Sequence, residues 1–329
     1  MKLSIVIPVY NEEESLTQLH DEISEVAESN QYDVEIIFID DGSKDRSWQV
    51  VKEISEKDSR VRGIKFRRNF GKAAALNAGF ELARGEIVMT MDADLQDNPR
   101  EIPAFLTQLH DEKLDVISGW KQIRHDPWHK VIPSRFFNAM VSYMTGVKLH
   151  DHNCGMKCYK REIFNEVVLY GELHRFVPVL ASARGYRIGE KVVEHRPRQF
   201  GQSKYGFTRF VKGFLDLFTV WFLTGYSQRP QHLLGTIGLI AMTLGLVILT
   251  LLATLWIGSR ALLPLGLYDN PIHIRDHFAA VEYSIAALLL GGQFISVGVI
   301  AELVVANRNR IAKAYSIEEQ LNQNDKNQN

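Results

Sequence analysis

The chain has 329 residues, with 38 basic side chains against 39 acidic ones and a formal charge of −1. That balance excludes a general nucleic-acid binder, which carries a basic excess, and the length allows one large domain or two ordinary ones. Hydrophobic residues make up 46% of the chain, an ordinary share for a soluble protein, but they are unevenly spread.

The N-terminal region alternates between short β-rich runs and amphipathic patterns. Segments 3–9, 34–39, 61–66, 87–91 and 116–118 read as strands; 13–28, 45–57, 72–84 and 99–111 carry apolar residues at helical spacing. Such alternation predicts an α/β fold, a mainly parallel sheet with helices on both faces. Ligands of open α/β sheets bind at the carboxyl ends of the strands, and three of those ends are chemically loaded. Pro8-Val9-Tyr10-Asn11-Glu12 follows the first strand, Asp40-Asp41-Gly42-Ser43 the second, and Asp92-Ala93-Asp94-Leu95-Gln96-Asp97 the fourth. Carboxylates as close as Asp92 and Asp94 repel one another unless a cation or hydrogen-bond donors compensate them. A divalent metal holding a diphosphate would do so; a solvated turn before a helix capped at Asn98-Pro99 is the plainer alternative. Asn11 and Ser43 alone could be helix caps, but caps do not explain acidic residues at three strand ends. No G-x-G-x-x-G follows the first strand, and Gly71-Lys72 lacks the rest of a P-loop. The pattern suits a metal-bridged nucleotide diphosphate.

Further along, 233–259 and 283–301 contain no charged side chain, and each is close to the ~20 residues that cross a bilayer core. Gly291, Gly292 and Gly298 in the second suit close helix contact in lipid. The N-terminus shows no signal peptide. Arg209, Lys212 and Arg229 precede the first span and Arg308, Arg310 and Lys313 follow the second, while the loop between holds only Arg260 and Arg275. The positive-inside rule then places both termini and the large N-terminal region in the cytoplasm. Two spans are too little for a pore and read as an anchor, with room for a homo-oligomer contact. Cys154 and Cys158 lie in a reducing compartment on this reading and serve as packing residues. Segments 207–226 and 132–145, rich in aromatic and aliphatic residues among basic ones, are expected to lie at the membrane interface. The last residues, from Glu318 on, are polar and expected to be disordered.

Together these strings resemble the GT-A-fold, family 2 inverting glycosyltransferases, in the branch that glycosylates polyprenyl phosphates such as dolichyl and undecaprenyl phosphate. Arg68-Asn69-Phe70-Gly71-Lys72, Asn153-Cys154-Gly155-Met156-Lys157 and Arg198-Gln199-Phe200-Gly201-Gln202-Ser203-Lys204-Tyr205 also match. The resemblance implies a GT-A catalytic domain over 1–206, a juxtamembrane segment over 207–230, a two-helix membrane domain over 231–306 (spans 233–257 and 283–305) and a polar tail over 307–329. It implies that Pro8, Tyr10, Glu12 and Asp41 cradle the base and ribose of a nucleotide sugar. Asp92, Asp94 and Gln96 would hold Mg²⁺ or Mn²⁺ and the diphosphate, with Asp94 the direct ligand. Arg198, Ser203 and Lys204 would close over the phosphates of donor and acceptor.

The implied reaction is a single inverting displacement, moving a hexose from UDP-glucose, or alternatively mannose from GDP-mannose, to a polyprenyl phosphate at the cytoplasmic membrane face. A phosphomonoester with a second pKa of ~6 is already mostly dianionic, so a strong general base is unnecessary. Asp151 and Glu172 are the acidic residues nearest that role, and Asp151 is expected to position the acceptor. A processive polysaccharide synthase would need more spans and a Q-x-x-R-W signature, which is absent. A non-catalytic membrane anchor is disfavoured by intact carboxylates at all three strand ends. His174-Arg175-Phe176-Val177-Pro178 belongs to the same branch pattern without an evident physical role.

Overall fold

The computed structural model describes residues 2–123, 128–167, 169, 171, 173–197, 208–226, 229–265 and 273–308. Contacts divide the chain into an α/β unit reaching Gly225 and a helical unit beginning at Tyr226.

The α/β unit is built on β1 (Lys2–Val9), β2 (Asp33–Asp40), β3 (Val61–Lys65), β4 (Ile87–Thr90), β5 (Val116–Trp120), β6 (Lys157–Lys160) and β7 (Ile188–Val192), ordered β3-β2-β1-β4-β6-β5-β7. All pairs are parallel except those of β6, which runs antiparallel to β4 and β5. β1 and β2 are apolar almost throughout and buried on both faces, the pattern of central parallel strands covered by helices. One face is covered by α1 (Leu16–Ser29), α2 (Ser47–Lys57) and α4 (Ile102–Asp111), through residues such as Leu19, Ile23, Val51, Ile54 and Phe105. The other is covered by α3 (Lys72–Leu82) and α6 (Val177–Ser182), through Leu76, Phe80, Val177 and Ala181. Asn98 accepts the Arg100 N–H at 3.1 Å, the cap expected there, opening a 3₁₀ turn that runs into α4.

Two further helices share a small core of their own. Phe137 and Val141 of α5 (Trp128–Thr145) pack with Phe176 and with Leu217 and Val220 of α7 (Thr208–Gly225). Their outer faces leave Ile132, Phe136 and Tyr143 of α5, and Phe214, Leu215 and Phe218 of α7, exposed to between 52% and 90%.

In the helical unit, α8 (Pro230–Leu262) and α9 (Phe278–Arg308) are long and apolar enough to cross a membrane, with mean hydropathies of 2.4 and 2.0. The expected spans lie within them. A Cβ at Gly238 would come within 2.6 Å of the Gly291 carbonyl, and one at Gly245 within 2.6 Å of the Ser284 carbonyl. Small residues thus let the two backbones approach, as helix pairs in lipid do.

Candidate active site

The sheet order sets β2, β1 and β4 side by side, with Val9 opposite Asp40 and Val6 opposite Thr90. The three loaded strand ends therefore lie side by side at one edge of the sheet, where open α/β sheets bind their ligands. The first two loops are laced together: Asn11 N–H donates to Ser43 Oγ at 3.0 Å, Glu12 N–H to Ser47 Oγ at 2.9 Å, and Lys44 N–H to Asn11 Oδ1 at 2.8 Å. Ser43 thus ties one loop to the other and caps no helix. Pro8, Tyr10 and Glu12 are half-buried on this rim.

Asp41 is engaged with the backbone of a neighbouring loop. It is 4% exposed, and its carboxylate accepts the N–H groups of Phe70 at 2.6 Å and Gly71 at 2.9 Å. Burial raises its pKa and the two backbone donors work against that rise. Asp41 shapes the 66–71 loop, which passes so close that a Cβ on Gly42, itself at φ +72°, would lie 2.4 Å from the Arg68 carbonyl carbon. Glycine is required there on both counts.

At the end of β4 the chain turns through Leu95 at φ +61°. Asp94 Oδ1 accepts the Gln96 N–H at 3.2 Å, and Asp97 Oδ2 accepts the Asp92 N–H at 3.2 Å. Asp97 is 1% exposed and paired with Lys121, 2.8 Å away. Burial opposes the charge on Lys121, but Asp97 outweighs it and raises the lysine pKa. Asp92 bonds the Lys72 ammonium, donated from the first residue of α3. Burial works against its charge, yet Lys72, with help from Lys121 and His174, holds its pKa at about 2. A Cβ at Gly155 would fall 2.5 Å from Asp92 Oδ2, so glycine is needed there as well.

Among the described residues no group of three or more His, Cys, Asp or Glu could hold a metal by itself. Asp92, Asp94 and Gln96 instead offer hard oxygens on a single turn, a set that suits Mg²⁺ or Mn²⁺ when phosphate oxygens complete the shell. Asp92 already faces one cation, the Lys72 ammonium.

Arg198, Ser203, Lys204 and Glu172 lie outside the described residues, as does the polar tail. The strand leading to Arg198 is described, and it runs along the Asp92–Asp97 turn. His195 bridges Asp97 in antiparallel fashion, Arg196 N–H donates to the Gln96 carbonyl at 3.1 Å, and the Gln96 amide lies 3.2 Å from His195 Nε2. Arg196 also reaches Asn98 Oδ1 at 2.7 Å and Glu22 Oε2 at 2.6 Å.

Beyond β5, a cleft of about 610 Å³ is lined by Trp120, Lys121, Arg135, Asn138, Lys148 and His150, among others. His150 stacks on Trp120 at 4.0 Å and bonds Glu190 at 2.7 Å. Glu190 also accepts the Asp151 N–H at 3.0 Å. Asp151 itself is 1% exposed and accepts the Asn153 N–H at 3.0 Å, so it shapes the turn behind the cleft. Lys121 joins this cleft to the Asp97 side of the metal-candidate turn.

Sequence reasoning missed Lys72, Asp97, Lys121 and His174 as site groups. Lys121 sits one residue past a strand that was expected to stop at 118, so its place at a strand end was hidden. His174 lies in a short 3₁₀ turn (Leu173–Phe176), and burial, then Lys72, Arg175 and Lys157, push its pKa well down. Its proximity to the Lys72–Asp92 pair emerges only in three dimensions. Cys154 and Cys158 are buried free thiols, as expected of packing residues.

Residues 4–168 match the family described as Glycosyl transferase family 2. A dodecaprenyl-phosphate galacturonate synthase of Rhizobium johnstonii is 37% identical over 92% of this chain and 88% of its own length. An undecaprenyl-phosphate 4-deoxy-4-formamido-L-arabinose transferase of Proteus mirabilis is 33% identical over 92% and 88%. Among solved structures, glucosyl-3-phosphoglycerate synthase from Mycobacterium tuberculosis in complex with Mn²⁺, uridine diphosphate and phosphoglyceric acid aligns with a TM-score of 0.53. The alignment has 17% identity and covers 68% of this chain and 78% of that one. At that identity the likeness concerns the fold.

Proposed function

The chain belongs to glycosyl transferase family 2, in the branch that acts on polyprenyl phosphates, and we propose that it moves a hexose from a nucleotide diphosphate to a polyprenyl phosphate, inverting the anomeric carbon. The observation that carries this reading is the pairing of two adjoining features. One is the edge where three acidic strand ends lie side by side; the other is the cationic cleft beside α5, with Lys121 common to both sides. The first suits a donor diphosphate, the second an acceptor phosphate.

Pro8, Tyr10 and Glu12 line the base and ribose side, and Asp41 acts there by fixing the 66–71 loop. A divalent cation on Asp92, Asp94 and Gln96 would neutralise charge developing on the leaving diphosphate. The M. tuberculosis synthase, described with Mn²⁺ or Mg²⁺ and uridine diphosphate, supports that choice of ions and a UDP donor. Lys121, Arg135 and Lys148 hold the acceptor phosphate, whose dianionic oxygen attacks without a strong base. Asp151, buried behind the cleft, keeps the 150–153 turn in place for it. Arg198, Ser203 and Lys204 come next in sequence after Arg196 and would close over the phosphates of donor and acceptor, the role the family resemblance implies. The helical unit anchors the enzyme, with both termini cytoplasmic, as the basic residues flanking the spans indicate.

The test is transfer of labelled sugar to undecaprenyl phosphate in detergent from UDP-glucose, UDP-galacturonate and GDP-mannose, with and without Mg²⁺. An acid-labile lipid product from one donor, absent without metal and in Asp94→Asn, is expected. Metal-dependent nucleotide binding with no lipid product from any donor would rule out the acceptor.

A further inference from the structure

We propose that Lys72 is a reserve cation of the donor site: it neutralises Asp92 while the site is empty, yields that carboxylate to an arriving divalent ion, and then turns its ammonium onto the donor diphosphate. The inference rests on the metal and nucleotide reading above and adds a residue and a sequence of contacts to it.

The geometry separates this pair from its neighbour. Lys121 and Asp97 form the more buried pair, with side chains 14% and 0% exposed. Lys72 and Asp92 are 26% and 32% exposed, so water and ligands reach both, and an ion pair of that kind is weak enough to exchange. The base of the Lys72 side chain is anchored. It opens α3 directly after Gly71, whose N–H and that of Phe70 are held by Asp41. The backbone stays in place while the flexible four-carbon stem can swing.

The surroundings supply the drive. Lys157, 4% exposed, donates its ammonium to the Cys154 carbonyl, and Lys121 is committed to Asp97. Both lie close enough to act electrostatically on the Lys72–Asp92 region. A divalent ion on Asp92 takes over the charge that Lys72 neutralises, in a region where Lys121 and Lys157 are already positive. An arriving diphosphate supplies a new one, and ammonium–phosphate contacts are among the stronger hydrogen bonds. The α3 N-terminus, where Lys72 sits, favours negative charge in the same place.

The experiment uses the full-length protein in detergent. Mn²⁺ alone is titrated by electron paramagnetic resonance for wild type, Lys72→Met, Lys72→Gln and Lys72→Arg. UDP binding is then measured by calorimetry at saturating Mn²⁺. The two neutral variants are expected to bind Mn²⁺ about threefold tighter, the worth of one partly exposed ion pair, and UDP about tenfold weaker, the worth of one charge-assisted hydrogen bond. Lys72→Arg should stay near wild type in both. A purely structural pair would leave Mn²⁺ affinity unchanged or weakened in both neutral variants, and that result overturns the inference. Wild type that binds Mn²⁺ and UDP while the variants match it removes this inference alone. Wild type that binds neither removes it together with the proposed function.

Discussion

Replacing Asp97 by asparagine tests whether the metal-candidate turn is held by a buried charge pair. The substitution keeps the shape and an oxygen for the Asp92 N–H, which Asp97 accepts at 3.2 Å, but strips the charge facing Lys121 at 2.8 Å. The Asp97 side chain is fully buried and that of Lys121 is 14% exposed. Removing one partner of such a pair costs 3–5 kcal/mol because the other charge is left uncompensated. Lys121 borders the cleft and can move part-way into water, which points to the lower end, about 3 kcal/mol. For a unit of this size each kcal/mol shifts Tm by about 2–4 °C, so the α/β unit should melt about 6–12 °C lower. Lys121→Met should cost a similar amount by stranding Asp97. The double variant Asp97→Asn/Lys121→Met should recover about 2 kcal/mol relative to the sum of the singles, the coupling expected of residues in direct contact. Tryptophan-detected melting in detergent measures all three. A fall below about 2 °C, or single losses that simply add, would refute the argument.

Two further outcomes follow from the same physics. His152 is fully buried, its pKa is lowered to about 4 chiefly by burial and then by Lys157, and its Nε2 lies 3.0 Å from Ser142 Oγ. Because the folded value lies below the unfolded one of about 6.5, the fold favours neutral imidazole. The stability it contributes is complete above that unfolded value and is lost as pH falls towards about 4, by about 3 kcal/mol. His152→Gln should flatten the stability slope across that window in chemical denaturation, and an unchanged slope would contradict the assignment. At the membrane, a fragment of residues 1–230 lacking both spans should still sediment with lipid vesicles, and Phe136→Asp with Phe218→Asp should release it. Each lost aromatic contact is worth about 1.5–3 kcal/mol, and an unmodified fragment that stays soluble would show that these faces serve another purpose.

How much of this was legible in the sequence depended on whether the signal was local. β1, β2 and β4 are continuous apolar runs ending in charged loops, and their boundaries fall within a residue of those expected. The Asp92–Asp97 turn and the adjacency of the three loaded strand ends followed from them. β6 and β7 were not expected. β6 has only four residues with a lysine at each end, and β7 is only half-buried, so neither carries an apolar run. Asp41 shows a different limit. Its type and position mark it as a ligand, but only the folded chain reveals that the Phe70 and Gly71 N–H groups occupy its carboxylate. Lys72 closes a matching string, but its glycine context fails as a P-loop and nothing local announces its pairing with Asp92, twenty residues on. Helix α7 is a third case: composition sets it apart as a juxtamembrane segment, while Leu217 and Val220 pack it into the α/β unit.

That packing bears on why a small glycosyltransferase should have this architecture. A polyprenyl acceptor cannot leave the bilayer cheaply, since each exposed CH₂ costs about 0.8 kcal/mol, so under the proposed function the cleft has to reach the headgroups. A flexible tether alone would leave the cleft's orientation to chance. Here α5 lines the cleft with Arg135 and Asn138 while Ile132, Phe136 and Tyr143 stay exposed on the same helix. α7 adds Phe214, Leu215 and Phe218 and is locked to α5 through Phe137 and Val141. A membrane covering these side chains would fix the cleft's angle as well as its distance, and orientation of that kind is what converts proximity into rate. On this reading the two spans supply attachment, and the α5–α7 pair supplies aim.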